Sequence, residues 1–268
     1  MSGRPRVVVV GAGLAGLTVA AALGPSADVV LIDRLPAPGG VLGYDHPAVI
    51  GAVARVRAAG VRSLLGTTAL RWVDSRLLVA GPGGIEWLAV DRLVFAGGAR
   101  PALPSELRLL GPRVAGVIAA TVAVHLAEAE VEMGRDVCLL GVSDWAERAA
   151  RVLRHQGARL TGVSTAEGRP PVYGEQWWMG WQPVALEGTR RVTAVIVARG
   201  ESRQRITCDT LVLAGDSRPL RNVDGAIADG PGIDFAQRTA DRQSIEEVRR
   251  HSLEIAGRIQ DQIRSAAR

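Results

Sequence analysis

The stretch VVVVGAGLAGL, Val7–Leu17, decides how the rest of the chain is interpreted. Its valines predict a buried strand, and the apolar residues Leu14–Leu23 predict a helix directly after it. Between them, three glycines have the G-x-G-x-x-G spacing of a dinucleotide-binding turn, in which backbone N–H groups approach a pyrophosphate. The sequence therefore predicts a nucleotide at the start of this helix. The predicted contacts are Gly11, Ala12, Gly13, Leu14, Ala15 and Gly16.

An acidic residue follows at the distance that such a turn requires. Asp33 ends the next predicted strand, Asp28–Asp33, about 20 residues after the turn, where a carboxylate can accept hydrogen bonds from both ribose hydroxyls. A tight glycine turn inside a core would explain the glycines but not this acid. We therefore expect Asp33, with its neighbour Arg34, at the ribose of a bound dinucleotide.

The composition bounds the class of protein. The chain has 268 residues, of which 47% are apolar and 22% charged, as in a soluble globular protein with one large or two compact domains. The net charge is +5, but all 32 basic residues are arginines, scattered among 27 acids rather than gathered in a patch, so we expect no nucleic-acid partner. The absence of lysine excludes a Schiff base, a pyridoxal phosphate anchor and a Walker A loop.

Two cysteines, Cys138 and Cys208, lie in separate apolar segments, and no CxxC motif occurs. This chain alone can therefore form neither a dithiol redox centre nor a cysteine-ligated iron–sulfur cluster, and we expect no metal site. Buried free thiols fit a reducing cytoplasm. The uncharged stretch Val7–Ala27 contains the glycine turn and ends in Pro25-Ser26, which favours a buried strand–turn–helix over a membrane span.

The remaining segments predict a second α/β unit. TTALRWV, RLLVA, IEWLA and DRLVFA form a predicted β-meander, and a strand Asp136–Leu140, a helix Ala146–Gln156 and a strand Arg159–Val163 follow. A hairpin, the strand TLVLAG and a helix from about Gln243 to Arg264 complete the chain. DRLVFAGGARP and DTLVLAGDSRP echo each other, and each closes an α/β unit.

The stretch Val7–Pro101 resembles the FAD-binding half of the pyridine nucleotide–disulfide oxidoreductase superfamily. The resemblance implies that the pair Gly39-Gly40, with Val41, lies against the FAD diphosphate and that Ala69 lies on the strand that contacts adenine. It also implies that Ala96, Gly97 and Gly98 match the family's ATG motif, with Gly97 replacing the threonine. The family's C-terminal flavin-binding aspartate corresponds either to Asp216, in LAGDSRP, or to a position in GIDFAQRTAD, Gly232–Asp241.

The expected fold is α/β: a flavoprotein with two Rossmann-like dinucleotide-binding domains, a β-meander and a shortened second lobe. The expected boundaries are 1–110 for the first part of the FAD domain, 111–205 for a truncated NAD(P)-type lobe, and 206–268 for the return to the FAD domain and the C-terminal helix.

GGARPALPS and GRDVCLLG, together with the missing dithiol, resemble the alpha-type subunits of sarcosine oxidase, hydrogen cyanide synthase and dye-linked amino-acid dehydrogenases. The resemblance implies an FAD-dependent oxidoreductase subunit that takes a hydride from a small amine or amino acid and passes electrons to a non-nicotinamide acceptor. The chain lacks the cysteine-rich iron–sulfur region of those subunits. An FAD- or ADP-binding scaffold subunit and an NAD(P)H-dependent flavin reductase are the alternatives.

The second predicted turn, GVSDWA, departs from the fingerprint. Its three positions hold Gly141, Ser143 and Ala146, so a side chain replaces the glycine beside the pyrophosphate. Asp144 would compete for the same N–H groups and repel an anion, which predicts that it serves as a helix cap. No acid or arginine for the ribose follows in RLTGVST. We expect a vestigial lobe that does not bind NAD(P).

Two further features have open alternatives. Trp177, Trp178 and Trp181 cluster in GEQWWMGWQP, either as a core plug, as a contact surface for another subunit or a second copy, or as a lid over the flavin. Tyr44 and His46, after the Gly-Gly pair, are candidate catalytic residues, although a histidine before a proline also fits a turn or cap.

Overall fold

The computed structural model describes residues 4–215, 217–220, 230–236 and 244–266, which form eighteen strands and five helices. The strands are Arg6–Val10 (β1), Asp28–Asp33 (β2), Arg62–Leu65 (β3), Thr68–Val73 (β4), Arg76–Gly81 (β5), Gly84–Ala89 (β6), Arg92–Phe95 (β7), Ala99–Pro101 (β8), Val117–Ala119 (β9), Asp136–Leu140 (β10), Arg159–Ser164 (β11), Gln176–Met179 (β12), Gln182–Gly188 (β13), Val192–Arg199 (β14), Ser202–Thr207 (β15), Thr210–Leu213 (β16), Ser217–Pro219 (β17) and Ile233–Phe235 (β18). The helices are Leu14–Leu23 (α1), Pro47–Ala58 (α2), Ala120–Glu128 (α3), Asp144–His155 (α4) and Ile245–Ala266 (α5), with one 3-10 turn at Gly40–Leu42.

None of the helices in the described ranges has the length and apolar character needed to cross a bilayer. The chain divides into two compact units. The first comprises the described residues of Met1–Ala99, Pro219–Thr239 and Gln243–Arg268, and the second those of Arg100–Arg218. Strands β8 and β17 form a separate two-stranded sheet.

The first unit is a five-stranded parallel sheet in the order β18-β7-β1-β2-β3, with an antiparallel meander, β4-β5-β6. The predicted bounds of β1, α1 and β2 are confirmed. Helix α1 is apolar along its whole length because it packs against both α2 and α5; Leu17 and Leu23 are 1% and 0% exposed. The strand order puts the carboxyl end of β1 in the middle of the sheet edge, where the glycine turn follows.

The second unit repeats this architecture. Its parallel sheet has the order β12-β11-β10-β16-β9, and β13-β14-β15 form an antiparallel meander. The second unit thus has as many parallel strands as the first. It is shortened at one connection. Residues 165–175, between β11 and β12, form no helix, whereas helix α2 joins β2 to β3 in the first unit. Strand β16 pairs with β10 and β9, so the chain returns to the first unit later than residue 206.

The internal echo has a structural counterpart. Asp91, just before β7, accepts a hydrogen bond from the N–H of Arg6 at 2.7 Å, and Asp209, just before β16, accepts bonds from the N–H groups of Arg135 and Asp136 at 2.9 and 3.2 Å. Both carboxylates thereby fix the start of the central strand of their unit.

An ion pair also joins the first residues of the two central strands in each unit, with opposite polarity. In the first unit Arg6 of β1 pairs with Asp28 of β2 at 2.9 Å. In the second, Asp136 of β10 pairs with Arg159 of β11 at 2.6 Å. The arginine of the pair therefore lies on the first of the two strands in the first unit and on the second strand in the second unit, and the aspartate has the reverse arrangement.

Both cysteines are free and buried in the core of the second unit, as the sequence predicted. Burial, with the nearby Cys208, raises the pKa of the Cys138 thiol well above its ordinary value. Burial, and secondarily the neighbouring Asp209, raises the pKa of Cys208 to about 12. Because the thiolate is the reactive form, both side chains are unreactive at neutral pH and serve as small apolar core residues.

Candidate functional site

The first turn of α1 offers uncapped backbone donors. Gly13 is the N-cap residue, and no side chain caps this helix end. The first N–H groups of a helix have no intrahelical acceptor, and the helix dipole makes this end electropositive. Such an end is an anion site when the surrounding residues leave room for the anion.

Two of the three turn glycines are required by the fold itself. Gly11 has φ +109°, and a Cβ there would overlap the carbonyl oxygen of Ala96. A Cβ at Gly16 would overlap the carbonyl oxygen of Gly11. These two glycines therefore let the turn, the helix and the end of β7 approach one another closely, whether or not a ligand binds.

Gly13 is different, because the fold does not require a glycine there. Its φ of −73° and ψ of 178° suit any residue, and the atom nearest to an added Cβ is the Cα of Gly40, at 3.9 Å. The position therefore opens onto free space directly in front of the uncapped helix end. A glycine at this position leaves the approach to the helix end open to an anion such as a pyrophosphate.

Two backbone hydrogen bonds fix the carboxylate of Asp33 beside this turn. One carboxylate oxygen accepts a hydrogen bond from the N–H of Ala12 at 2.6 Å, and the other accepts one from the N–H of Leu35 at 2.8 Å. Each oxygen keeps a second lone pair for a ribose hydroxyl. Arg34 is exposed next to it.

The Gly-Gly pair lies against the turn from the other side. The N–H of Gly39 donates to the carbonyl oxygen of Ala12 at 2.8 Å, and Gly13 and Gly39 form an isolated β-bridge. A Cβ at Gly40 would lie 3.2 Å from the Cα of Gly13, so a side chain there would narrow the approach. Val41 follows and is 43% exposed. The backbone of this loop thus forms a second wall of the open space.

The ATG-like residues also reach the turn. The N–H of Ala96 donates to the carbonyl oxygen of Val10 at 2.7 Å, which places Ala96 beside Gly11 and Gly16. A Cβ at Gly97 would lie 2.6 Å from the Phe95 ring, so the glycine avoids a close contact there. Gly98 continues with φ +77°.

Ala69 lies away from this cluster of backbone groups. It is 7% exposed on the inner face of the meander, in a core cluster with Val8 and Ile32. Its side chain is therefore a core contact, and only the backbone of β4 remains for a ligand.

The structure assigns His46 to a helix end. It is the N-cap of α2, and its Nδ1 accepts a hydrogen bond from the N–H of Ala48 at 3.1 Å. In the neutral ring the proton is then on Nε2, which leaves no basic nitrogen free, so this geometry supports the cap alternative. Tyr44 is 71% exposed.

Of the two C-terminal alternatives, Asp216 lies outside the described residues, as do residues 237–241. The start of the other segment, Ile233–Phe235, is β18, which pairs with β7 in the first unit.

The second turn is closed by its own side chains. Ser143 is fully buried and is the N-cap of α4; its hydroxyl accepts a hydrogen bond from the N–H of Ala146 at 3.1 Å and donates to the carbonyl oxygen of Ala214. The predicted cap, Asp144, is wrong: the extended conformation of Ser143 puts the cap one residue earlier, and Asp144 is the first helical residue. The helix therefore also begins two residues before the predicted Ala146.

Two residues that the sequence did not single out complete this closure. Ser164 ends β11 where Asp33 ends β2, and its hydroxyl accepts from the N–H two residues on, as Asp33 does. The residue of the second unit that corresponds to Asp33 is thus a serine. Tyr173 is 8% exposed, and its hydroxyl lies 3.5 Å from the carbonyl oxygen of Ser143, against the helix start. Counting residues from each strand start would have identified Ser164, whereas no sequence pattern marks Tyr173.

The three tryptophans are half-buried and form part of the second unit's core. Trp178 and Trp181 pack on the core cluster that contains both cysteines, and their rings meet edge to face at 5.2 Å. Trp177 lies on β12 opposite Gly162, where a Cβ would overlap its ring, and meets Tyr173 edge to face at 5.6 Å. Two of the three lie on a strand rather than in a loop, and this packing favours the core-plug alternative.

Replacing Trp177, Trp178 and Trp181 together by serine is expected to lower the free energy of unfolding of the second unit by about 3 kcal/mol or more, because ring contacts and apolar burial are lost. Urea unfolding followed by circular dichroism measures this loss. Trp87→Ser, at a 43% exposed ring in the first unit, is the control and should change stability far less. A triple variant of unchanged stability that no longer binds a partner protein would favour the contact-surface alternative instead.

The fold and the two turns together define a class of protein with two Rossmann-like units. The glycine turn of the first unit is open, and the turn of the second unit is capped by its own side chain. By sequence, residues 9–59 match the family described as NAD(P)-binding Rossmann-like domain. No curated protein matches the chain significantly.

Solved structures of the pyridine nucleotide–disulfide oxidoreductase family share the fold. An oxidoreductase of that family from Enterococcus faecalis V583 is 17% identical with a TM-score of 0.67, over 94% of this chain and 68% of the other. L-Proline dehydrogenase from P. horikoshii is 18% identical with a TM-score of 0.67, over 98% of this chain and 57% of the other. Lactococcus lactis thioredoxin reductase is 16% identical with a TM-score of 0.64, over 97% of this chain and 99% of the other.

At such identities the likeness concerns the fold. The chain spans between 57% and 68% of the length of the first four similar structures.

Proposed function

We propose that the first unit binds FAD and that the chain is the FAD-carrying subunit of an oxidoreductase. The observation that carries the proposal is the glycine at position 13, which the fold does not need and which faces open space at an uncapped helix end. If the turn were purely structural, packing would require all three of its glycines. Packing requires Gly11 and Gly16 but not Gly13.

The chain's own groups fit the cofactor in three places. The uncapped N–H groups of α1, with Gly13 as the open position, would hold the pyrophosphate. Asp33, oriented by Ala12 and Leu35, would accept the ribose hydroxyls. The Gly39-Gly40 backbone would close the diphosphate from the side. This second backbone wall, together with the meander and the Ala96–Gly98 turn, supports FAD over NAD as the tightly bound nucleotide.

Hydride acceptance is the chemistry that FAD supplies when bound, and the protein contributes orientation and electrostatics. A small amine or amino acid is the proposed substrate. The sequence resemblance to alpha-type subunits supports it, and so does the fold shared with a proline dehydrogenase. The resemblance of GGARPALPS and GRDVCLLG to alpha-type subunits also supports our proposal that the chain acts together with another subunit. Buried free thiols support a cytoplasmic location.

Two alternatives make different predictions. A scaffold subunit would bind FAD or ADP but would not be reduced by any amine or amino acid. A flavin reductase would be reduced by NADH or NADPH, but the cap of Ser143 and the serine at position 164 oppose a nicotinamide site in the second unit.

The test is a titration of the cofactor-free chain with FAD and, in parallel, with NAD. We expect one FAD per chain, with an absorption band at about 450 nm that remains on the protein after gel filtration, and much weaker binding of NAD. The FAD-loaded chain is then mixed with a panel of amines and amino acids under anaerobic conditions. A chain that takes up no FAD would end the proposal. A chain that binds FAD, but whose flavin is reduced by none of these substrates, would favour the scaffold-subunit alternative.

A further inference from the structure

The first unit has an apolar sheet face that its own core does not use. In the meander, Ala69, Leu77 and Val79 point inward and are 7%, 0% and 1% exposed. By strand alternation the opposite face carries Leu78 and its neighbours Ile85 and Trp87, which are 72% and 43% exposed. We call Arg71, Arg76, Leu78, Ile85 and Trp87 the outer meander face.

This face is positively charged. Arg71 lies opposite Leu78 on the neighbouring strand, and the Arg76 guanidinium lies over the Trp87 ring at 5.2 Å. Across the described residues, neither arginine has a carboxylate within ion-pair distance, and no acidic residue shares the face. Exposed tryptophan and arginine beside apolar side chains are the composition of a protein-binding hot spot.

A segment of the second unit has the complementary character. Residues 128–132 have the sequence Glu-Ala-Glu-Val-Glu and begin at the last residue of α3. All five are exposed. Val131 is 44% exposed, and Glu130 has φ +59°, a conformation uncommon for a glutamate, which makes the segment a sharp turn. Glu128 pairs with Arg148 at 2.7 Å and Glu132 pairs with the exposed Arg135 at 3.9 Å, but within the described ranges Glu130 has no ion-pair partner. The carboxylates and Val131 of this segment thus match the two arginines, Ile85 and Trp87 of the outer meander face in charge and apolar character.

We propose that the outer meander face of one copy binds the acidic segment Glu128–Glu132 of a second copy. The two surfaces lie on different units, so the contact is heterologous rather than a patch that meets itself. The charges set the orientation of the contact, and Trp87, Ile85 and Val131 supply its apolar centre.

Sedimentation velocity of the full chain, over a range of concentrations, tests this contact. We expect association at low salt that weakens at about 0.5 M NaCl, where screening shortens electrostatic range to a few ångströms. The double substitution Arg71→Glu with Arg76→Glu should weaken association roughly tenfold or more, as should Glu130→Arg with Glu132→Arg. Mixing the two variants should restore association, because the unsubstituted face of one variant can bind the unsubstituted segment of the other and the two reversed surfaces are also complementary.

The control is Arg203→Glu, at an exposed arginine on β15 of the second unit, which should associate like the unsubstituted chain. Arg71→Gln with Arg76→Gln provides a milder variant if charge reversal impairs folding, which circular dichroism checks. A chain that stays monomeric at low salt overturns the proposal. So does association that neither reversal weakens, or a mixture that does not recover it.

Discussion

Gly13→Ser is expected to weaken FAD binding strongly while leaving the fold intact. Position 13 has extended backbone angles, and its nearest neighbour would be 3.9 Å from a Cβ, so the chain can accept the side chain. The serine would occupy the approach of the pyrophosphate and cap α1, as Ser143 caps α4. We expect FAD affinity to fall by at least about 100-fold, which is about 2.7 kcal/mol. Titration of the cofactor-free chain, followed by FAD fluorescence quenching, measures the loss.

The stability of the cofactor-free variant is the second half of this prediction. It should equal or slightly exceed that of the parent chain, since a glycine has been removed and a cap added. Gly16→Ala should behave in the opposite way: its Cβ would overlap the Gly11 carbonyl, so the variant should lose folding stability. Gly257→Ser, a glycine in α5 with nothing within 4 Å of an added Cβ, is the matched control and should retain FAD. If Gly13→Ser binds FAD normally, the open space at position 13 is not the pyrophosphate site.

Neither NADH nor NADPH is expected to reduce the FAD-loaded chain at a useful rate. The buried Ser143 hydroxyl already occupies the α4 helix end, and Asp144, the first residue of this helix, adds a negative charge that would repel a phosphate. An unfavourable charge at a helix end costs about 1 kcal/mol, and the missing ribose acid at Ser164 removes a further contact. Tyr173 fills the same region. Anaerobic stopped-flow mixing, monitored at the flavin band, gives the rate.

Reduction of the same sample by dithionite shows that the flavin is competent and serves as the reference. Quinones and redox dyes should then reoxidise it. Rapid bleaching that saturates with the concentration of either nicotinamide would contradict the prediction and show that the second unit is a working nicotinamide site despite its closed turn.

The parts of the fold that follow from local pattern could be predicted from the sequence. Three glycines at fixed spacing, a strand of valines and an acid at the right distance define β1, α1 and β2 to the residue. The meander also follows, because Asp74-Ser75 and Gly81–Gly84 are strong turn sequences. The completeness of the second sheet does not follow from local pattern, since β9 and β12 are short strands whose pairing is set by distant partners.

The site shows the same division between local and long-range information. The glycine turn itself was predictable because it depends on backbone geometry, for which glycine at fixed spacing is a direct signal. That Gly13 differs from Gly11 and Gly16 emerges only from distances to Ala96 and Gly40, residues remote in sequence. The choice of Ser143 over Asp144 as cap rests on one residue's backbone angles, and adjacent polar residues do not reveal it.

The exchanged ion pairs at the strand starts bear on how a chain with two similar sheets assembles each one from its own strands. If β1 paired with β11 in place of β2, Arg6 would face Arg159; if β10 paired with β2, Asp136 would face Asp28. Each wrong combination sets like charges opposite each other, which disfavours the pairing, while each correct one is attractive. Misassembly between similar domains is a characteristic failure of such chains during folding. The exchange of arginine and aspartate thus favours the correct strand pairing in each unit over the pairing with the equivalent strand of the other unit.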